Sequence, residues 1–127
     1  MTIEEMQCRA YQTAREKGWH EADIREPAPA PLGRHRGGVE IHPVQIVAWL
    51  GLVMSEAAEA IEDVRERRLT LDFDEKGKPT GLPSEMADIL IRVGDVAGAL
   101  GIDLQAAVEA KLAFNETRPH RHGNKTC

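Results

Sequence analysis

Between residues 44 and 68, apolar side chains recur at spacings of three and four: Val47, Leu50, Met54, Ala57, Ile61 and Val64. At about 100° per residue they fall on one stripe of an α-helix, which predicts a core-facing side. Nearly opposite lie Glu56, Glu59 and Asp63, an arrangement that most often marks a solvated face. Trp49, Leu52 and Val53 share that acidic side in the preceding turns. A purely wet face would not carry them, so the pattern predicts a second helix that covers this side and partly buries the acids.

The covering helix is predicted from about Pro83 to Leu100. Pro83 suits a first turn, where its missing N–H needs no partner, and the helix dipole favours Glu85 just inside. Met86, Leu90, Val93 and Ala97 form its apolar stripe and Glu85, Asp88, Arg92 and Asp95 an adjacent polar one. Ala87, Gly94 and Gly98 form a third face, small enough for another backbone to approach. Because a helical Gly costs about 1 kcal/mol relative to Ala, two at a spacing of four predict tight packing.

Elsewhere, Ile3, Met6, Ala10, Tyr11 and Ala14 predict a helix over 3–18 closed by Gly18. From 20 to 43 the pattern breaks: Pro27, Pro29 and Pro31 alternate with Ala, reading as a short polyproline-like stretch before Leu-Gly-Arg-His-Arg-Gly-Gly. Arg34, His35 and Arg36 could reach phosphates as a lid, or form a solvated basic loop. Leu69, Leu71 and Phe73 before Glu-Lys-Gly-Lys predict one short strand or a hairpin arm, a connector that sets the two acidic helices antiparallel. Asp103 is a suitable N-cap for a last helix, Leu104 to about Glu116, with Pro119 beyond it. The fold class is therefore all-α: an antiparallel bundle of about four helices with a long Pro/Gly-rich loop between the first and second. One domain is expected over 1–127, comprising an N-terminal helix (1–19), the loop (20–43), the helices carrying the acids (44–118) and a basic tail (119–127).

Composition changes this picture in two ways. Aromatic residues make up only 4% of the chain, so a single subunit has a thin core and a homo-oligomer whose subunits share core surface is expected. A formal net charge of -5 argues against general nucleic-acid binding, which needs a basic face. Cys8 and Cys127 lie far apart without metal-type spacing and read as free thiols. The start Met-Thr-Ile-Glu-Glu-Met lacks the pattern of a signal peptide, and no stretch matches the roughly 20 apolar residues of a membrane span, so a cytoplasmic protein without a membrane partner is expected.

The candidate chemistry sits on the acids. A spacing of three pairs Glu56 with Glu59 and Glu85 with Asp88, and two such pairs facing each other would repel strongly unless neutralised. Oxygen-only donors select Mg²⁺, with Mn²⁺ as a possible substitute. Lys111, Asn115 and Arg118, four and three apart, share one side of the last helix, and with Lys125 in the tail they form a chelating set for a polyphosphate. Trp19 could stack on a nucleobase, although a lone Trp more often anchors a core or an interface. Glu62, Asp63 and Asp95 are candidates for a supporting base or a second ion.

Taken together, Glu56-x-x-Glu59, Glu85-x-x-Asp88 and Lys111-x-x-x-Asn115-x-x-Arg118 resemble the MazG-like all-α nucleoside triphosphate pyrophosphohydrolases. The stretch from Lys78-Pro-x-Gly-Leu-Pro to Ala87-Asp-Ile-Leu-Ile-Arg-Val93 and the ending Arg118-Pro-x-x-His-Gly123 are similar too. The likeness runs from about residue 44 to 125. It departs at Ser55, where the family usually has a second acid beside Glu56. The resemblance implies a dimer or dimer of dimers, Mg²⁺ dependence, and hydrolysis of a (d)NTP between its α and β phosphates to (d)NMP and pyrophosphate. A nucleotide-pool house-cleaning role would follow. In that reading Glu56, Glu59, Glu85 and Asp88 hold the ion and Lys111, Asn115 and Arg118 bind phosphates. A phosphoribosyl-ATP pyrophosphatase-like enzyme and a non-catalytic helical nucleotide-binding or adaptor module are the alternatives.

Overall fold

The computed structural model describes residues 1–20, 33–34 and 40–119. Four helices appear where the pattern placed them: α1 (Ile3–Glu16), α2 (Pro43–Arg65), α3 (Leu82–Leu100) and α4 (Leu104–Glu116). Two minimal antiparallel ladders accompany them, β1 (Gly33–Arg34) with β2 (Glu40–Ile41) and β3 (Asp72–Phe73) with β4 (Pro79–Thr80). The second ladder is the predicted hairpin between the acidic helices. The polyproline-like stretch, the His35–Arg36 part of the proposed lid, Cys127 and the basic tail with Lys125 lie outside the described residues.

Each helix end has a local cause. Thr2 and Glu5 form a reciprocal capping box on α1, with the Glu5 backbone N–H donating to Thr2 Oγ1 at 3.0 Å and the Thr2 N–H to the Glu5 carboxylate at 2.6 Å. His42 caps α2 by accepting from the Val44 N–H at 3.2 Å, and Pro43 occupies the first turn. Before α3, Gly81 has φ of 90°, and a Cβ there would sit 2.2 Å from the Thr70 carbonyl oxygen, so only glycine lets the hairpin close on the helix. Asp103 caps α4 by accepting from the Ala106 N–H at 2.9 Å.

The central element is α3, which packs against α1 on one side and α2 on another. Gly94 and Gly98 let α1 approach closely: a Cβ on Gly98 would lie 2.5 Å from Tyr11 Cβ, and one on Gly94 3.3 Å from Gln7 Cα. The backbone expected to approach the small-residue face is thus α1 of the same chain at Gly94 and Gly98, while Ala87, its third member, is exposed. Buried Gln7 ties the α3–α4 corner to α1, its Nε2 donating to the Ile102 carbonyl at 2.6 Å and its Oε1 accepting from the Leu104 N–H at 3.3 Å. Tyr11, Ile41 and Ala99 form the core cluster, flanked by Ile46, Trp49 and Leu100.

Two expectations are corrected. The apolar stripe of α2 does not face the core of this chain: Val47 is 68% and Met54 73% exposed, and Leu50, Ile61 and Val64 are also exposed, with only Ala57 half-buried. On α3, Met86 and Leu90 are likewise exposed, Val93 is half-buried and Ala97 alone is buried. The side of α2 that meets α3 is the acidic one, with Glu56, Ala60 and Asp63 buried. One helix cannot cover both sides of α2, and α4 does not supply the other cover, since it packs on α1 and none of its residues is buried. The chain is a three-helix layer with α4 appended, rather than a closed four-helix bundle. The expectation about membrane spans also changes: α2, at 23 residues and a mean hydropathy of 1.4 over its most apolar window, is long and apolar enough to cross a bilayer by length and composition. It carries four carboxylates, Glu56, Glu59, Glu62 and Asp63, of which Glu56 and Glu59, nearest its middle, would be costly at the bilayer centre.

Candidate functional site

Because β3 and β4 reverse the chain, α3 runs back along α2 and successive acids meet in opposite order. Glu56, midway along α2, faces Arg92, and Glu59 and Asp63 lie near Glu85 in the first turns of α3. Glu56, Glu59 and Glu85 converge so that one carboxylate oxygen from each lies within 4.8 Å of the others. Glu56 is buried, Glu85 half-buried and Glu59 exposed, so the cluster opens to solvent on one side. Three of the four predicted ligands therefore come together. Asp88, the fourth, lies one turn along α3 and joins Glu56 in the wall of an adjacent hollow.

The electrostatics of the cluster are uneven. Burial, followed by the charge of Glu59, a hydrogen bond with Glu59, and the charges of Asp88 and Asp63, raises the Glu85 pKa above its ordinary 4.5. Its Oε2 is buried without a hydrogen-bond partner. The outer acids, by contrast, are neutralised by arginine. Arg92 Nε donates to Glu56 Oε1, and Arg68 donates to Asp63 Oδ1 through Nε at 2.7 Å and Nη2 at 2.6 Å. The buried Asp63 Oδ2 has no hydrogen-bond partner. Positive charge thus brackets the row of acids at both ends and leaves Glu59 and Glu85 as its uncompensated centre.

Next to the cluster, a hollow of about 270 Å³ lies between α1, α2 and α3. Its lining combines the aromatic and apolar Trp19, His20, Trp49 and Leu52 with the charged Glu56, Asp88, Arg92, Asp95 and Lys17. Trp19, proposed from sequence as a base contact, is here and 64% exposed. His20 is held edge-on between Tyr11 and Trp49, with ring centroids 5.5 and 5.4 Å away, and its Nε2 lies 2.7 Å from Asp95 Oδ1. A second, more open hollow of about 410 Å³ is lined by Glu59, Glu62, Asp63, Arg68 and Glu85.

Comparison with protein-family models, with curated proteins and with solved structures finds no match. The site therefore stands on its own geometry.

That geometry does not bring the predicted phosphate set to the acids. Lys111 and Asn115 on α4, and Arg118 just past the helix end rather than on it, are exposed and line neither hollow. Lys111 and Arg118 both sit over the Phe114 ring, at 5.7 and 5.8 Å from its centroid. The three candidates for a supporting base or second ion each have a partner: Glu62 pairs with Arg65, Asp63 with Arg68 and Asp95 with His20. Sequence reasoning gave no site role to Arg92, which it placed on the polar stripe of the covering helix, to Trp49, which it used as a sign that the acidic side is covered, or to Arg68 and His20. Arg92 was the most findable, since it lies four residues after Asp88 and seven after Glu85, on the same face of α3.

Proposed function

We propose that the chain is a divalent-cation-dependent nucleoside triphosphate pyrophosphohydrolase, converting a (d)NTP to (d)NMP and pyrophosphate. The observation that carries this reading is the convergence of Glu56, Glu59 and Glu85 from two antiparallel helices beside a hollow of about 270 Å³ lined in part by Trp19 and Trp49. The donor set fits a hard cation: every donor is a carboxylate oxygen, and buried Glu85 Oε2 lacks a hydrogen-bond partner. Glu56, Glu59 and Glu85 would hold Mg²⁺ or Mn²⁺, with Asp88 one turn away. Bound there, the ion would neutralise phosphate charge and acidify a water. The protein's own part is positional. Trp19, Trp49 and Leu52 offer the base an apolar surface that excludes water, while Arg92 and Asp88 line the same hollow as Glu56, where phosphates would meet the acids. Mutual repulsion of Glu59 and Glu85 favours whichever bound state brings positive charge between them.

Assembly belongs to the same reading. The exposed apolar stripe of α2, with Met86 and Leu90 of α3, would supply the interface of a homodimer or a homotetramer, a standard one removing about 800 Å² per partner. If Lys111, Asn115 and Arg118 bind phosphates, they do so in a site whose acids belong to another copy.

A panel of canonical and modified nucleoside triphosphates with Mg²⁺, scored for pyrophosphate and monophosphate, tests the activity. Release of pyrophosphate that is abolished by chelation and by Glu59→Gln is expected, with Glu66→Gln nearly silent. Neutralisation of Glu56 and Asp63 by arginine favours a second reading, a helical adaptor in which the acids are structural. That reading gains if no triphosphate is turned over and Mn²⁺ binds without stoichiometry. A phosphoribosyl-ATP pyrophosphatase-like activity is covered by adding that substrate to the panel.

A further inference from the structure

Arg92 meets the acid cluster and the hollow at once. Its guanidinium pairs with Glu56, whose side chain is only 9% exposed, and the same side chain lines the hollow with Asp88 and Trp49. A carboxylate as buried as Glu56 needs a counter-charge, and among the described residues Arg92 supplies it. A divalent ion shared by Glu56, Glu59 and Glu85 would supply that counter-charge more strongly. The guanidinium carries only donors and cannot join a coordination shell, so ion and arginine compete for the charge of the same carboxylate. Among the described residues lining the hollow, the permanently positive ones are Arg92 and Lys17.

We propose, resting on the cation-site reading above, that Arg92 is a displaceable latch. Without a cation it occupies Glu56, and a cation that takes Glu56 releases the guanidinium into the hollow, where its planar fork receives a phosphate of the substrate. Arg92 is then a positioning residue that makes polyphosphate binding depend on prior cation binding, beyond the bridging that the ion itself provides.

The test is a double-mutant cycle on the full chain: wild type, Arg92→Met, Glu56→Gln and the double variant, each titrated calorimetrically with Mn²⁺ alone and, in chelator, with inorganic tripolyphosphate. In the wild-type background Arg92→Met should tighten Mn²⁺ binding about tenfold or more, because one charge-assisted hydrogen bond no longer competes. In the Glu56→Gln background the same substitution should change Mn²⁺ binding little. For tripolyphosphate the pattern should reverse: Arg92→Met has little effect while Glu56 holds the arginine, and weakens binding about tenfold once Glu56→Gln has freed it. A merely electrostatic or structural role predicts equal effects in both backgrounds, and that additivity would overturn the latch. Should Arg92→Met fail to fold, Arg92→Lys serves in the same cycle, with the same non-additivity expected at smaller amplitude and its absence equally decisive. Glu59→Gln separates the two levels of argument. If wild type binds no Mn²⁺, or Glu59→Gln leaves binding intact, the cation-site reading falls; if binding needs Glu59 yet ignores Arg92, the latch alone falls.

Discussion

At the scale of single residues, Glu85 gives a signed pH dependence. Its pKa is raised in the folded chain above the ordinary 4.5, chiefly by burial and then by Glu59, so the folded state holds this proton at pH values where the unfolded chain has lost it. A group of that kind stabilises the fold fully below its unfolded pKa, and the contribution is lost as pH rises through the folded value. Cation-free protein should therefore lose thermal stability as pH rises from about 4.5, with part of that slope missing in Glu85→Gln. Thermal melts of both proteins in chelator check this, and an identical slope in the two would remove Glu85 as its source. The sign inverts for ion binding: Mn²⁺ must displace the shared proton, so its affinity should rise over the same interval. The acids were legible in the sequence because a spacing of three in a helix places them on one face. The arginines were not, because Arg92 reaches Glu56 and Arg68 curls back on Asp63 only after the hairpin has set the register of the two helices.

At the scale of elements, the close approach of α1 to α3 is set by two glycines with unequal clearance. Alanine is intrinsically better than glycine in a helix by about 1 kcal/mol, a gain that any new contact must exceed to cause damage. At Gly94 a Cβ would meet Gln7 Cα at 3.3 Å, a contact that a small shift relieves, so Gly94→Ala should be nearly neutral. At Gly98 it would meet Tyr11 Cβ at 2.5 Å, and Tyr11 belongs to the core cluster and cannot swing aside. Overpacking of that kind costs about 1–3 kcal/mol, so Gly98→Ala should lower the melting temperature clearly while Gly94→Ala does not. Equal melting temperatures would contradict the described α1–α3 contact. Helix ends were the most legible part of the fold where local chemistry marks them, as Pro83 does for α3 and Asp103 for α4, whereas the Thr2 cap of α1 and Pro43 in the first turn of α2 came only from the structure. Facing was less so. Periodicity finds an apolar stripe but not what lies against it, and on α2 the stripe turned outward because α3 took the acidic side.

At the scale of the whole molecule, that outward stripe and the detached phosphate set lead to one conclusion. Val47 and Met54 are the most exposed members of the stripe, and glutamate is a good helix former, so Val47→Glu with Met54→Glu should leave helicity intact while charging the face. Light scattering should report a dimer or tetramer for wild type and a monomer for this variant. A wild-type monomer would refute the assembly, and an undisturbed oligomer in the variant would place the interface elsewhere. If the assembly is real, α4 can deliver Lys111 to acids on a second copy, and subunit mixing tests that directly. In the proposed site Glu59→Gln would lack a cation ligand and Lys111→Met a phosphate contact, so each protein alone should be nearly inactive. Should the two groups serve one site from different copies, a mixed dimer contains one site with both defects and one with neither. Half of a random mixture is mixed dimer, and half of its sites are whole, so activity should return to about a quarter of wild type. Should both groups serve a site within one copy, every site in the mixture carries one defect and no activity returns. The assay needs only pyrophosphate release measured before and after subunit exchange, with the monomeric Val47→Glu, Met54→Glu background as the control in which mixing restores nothing.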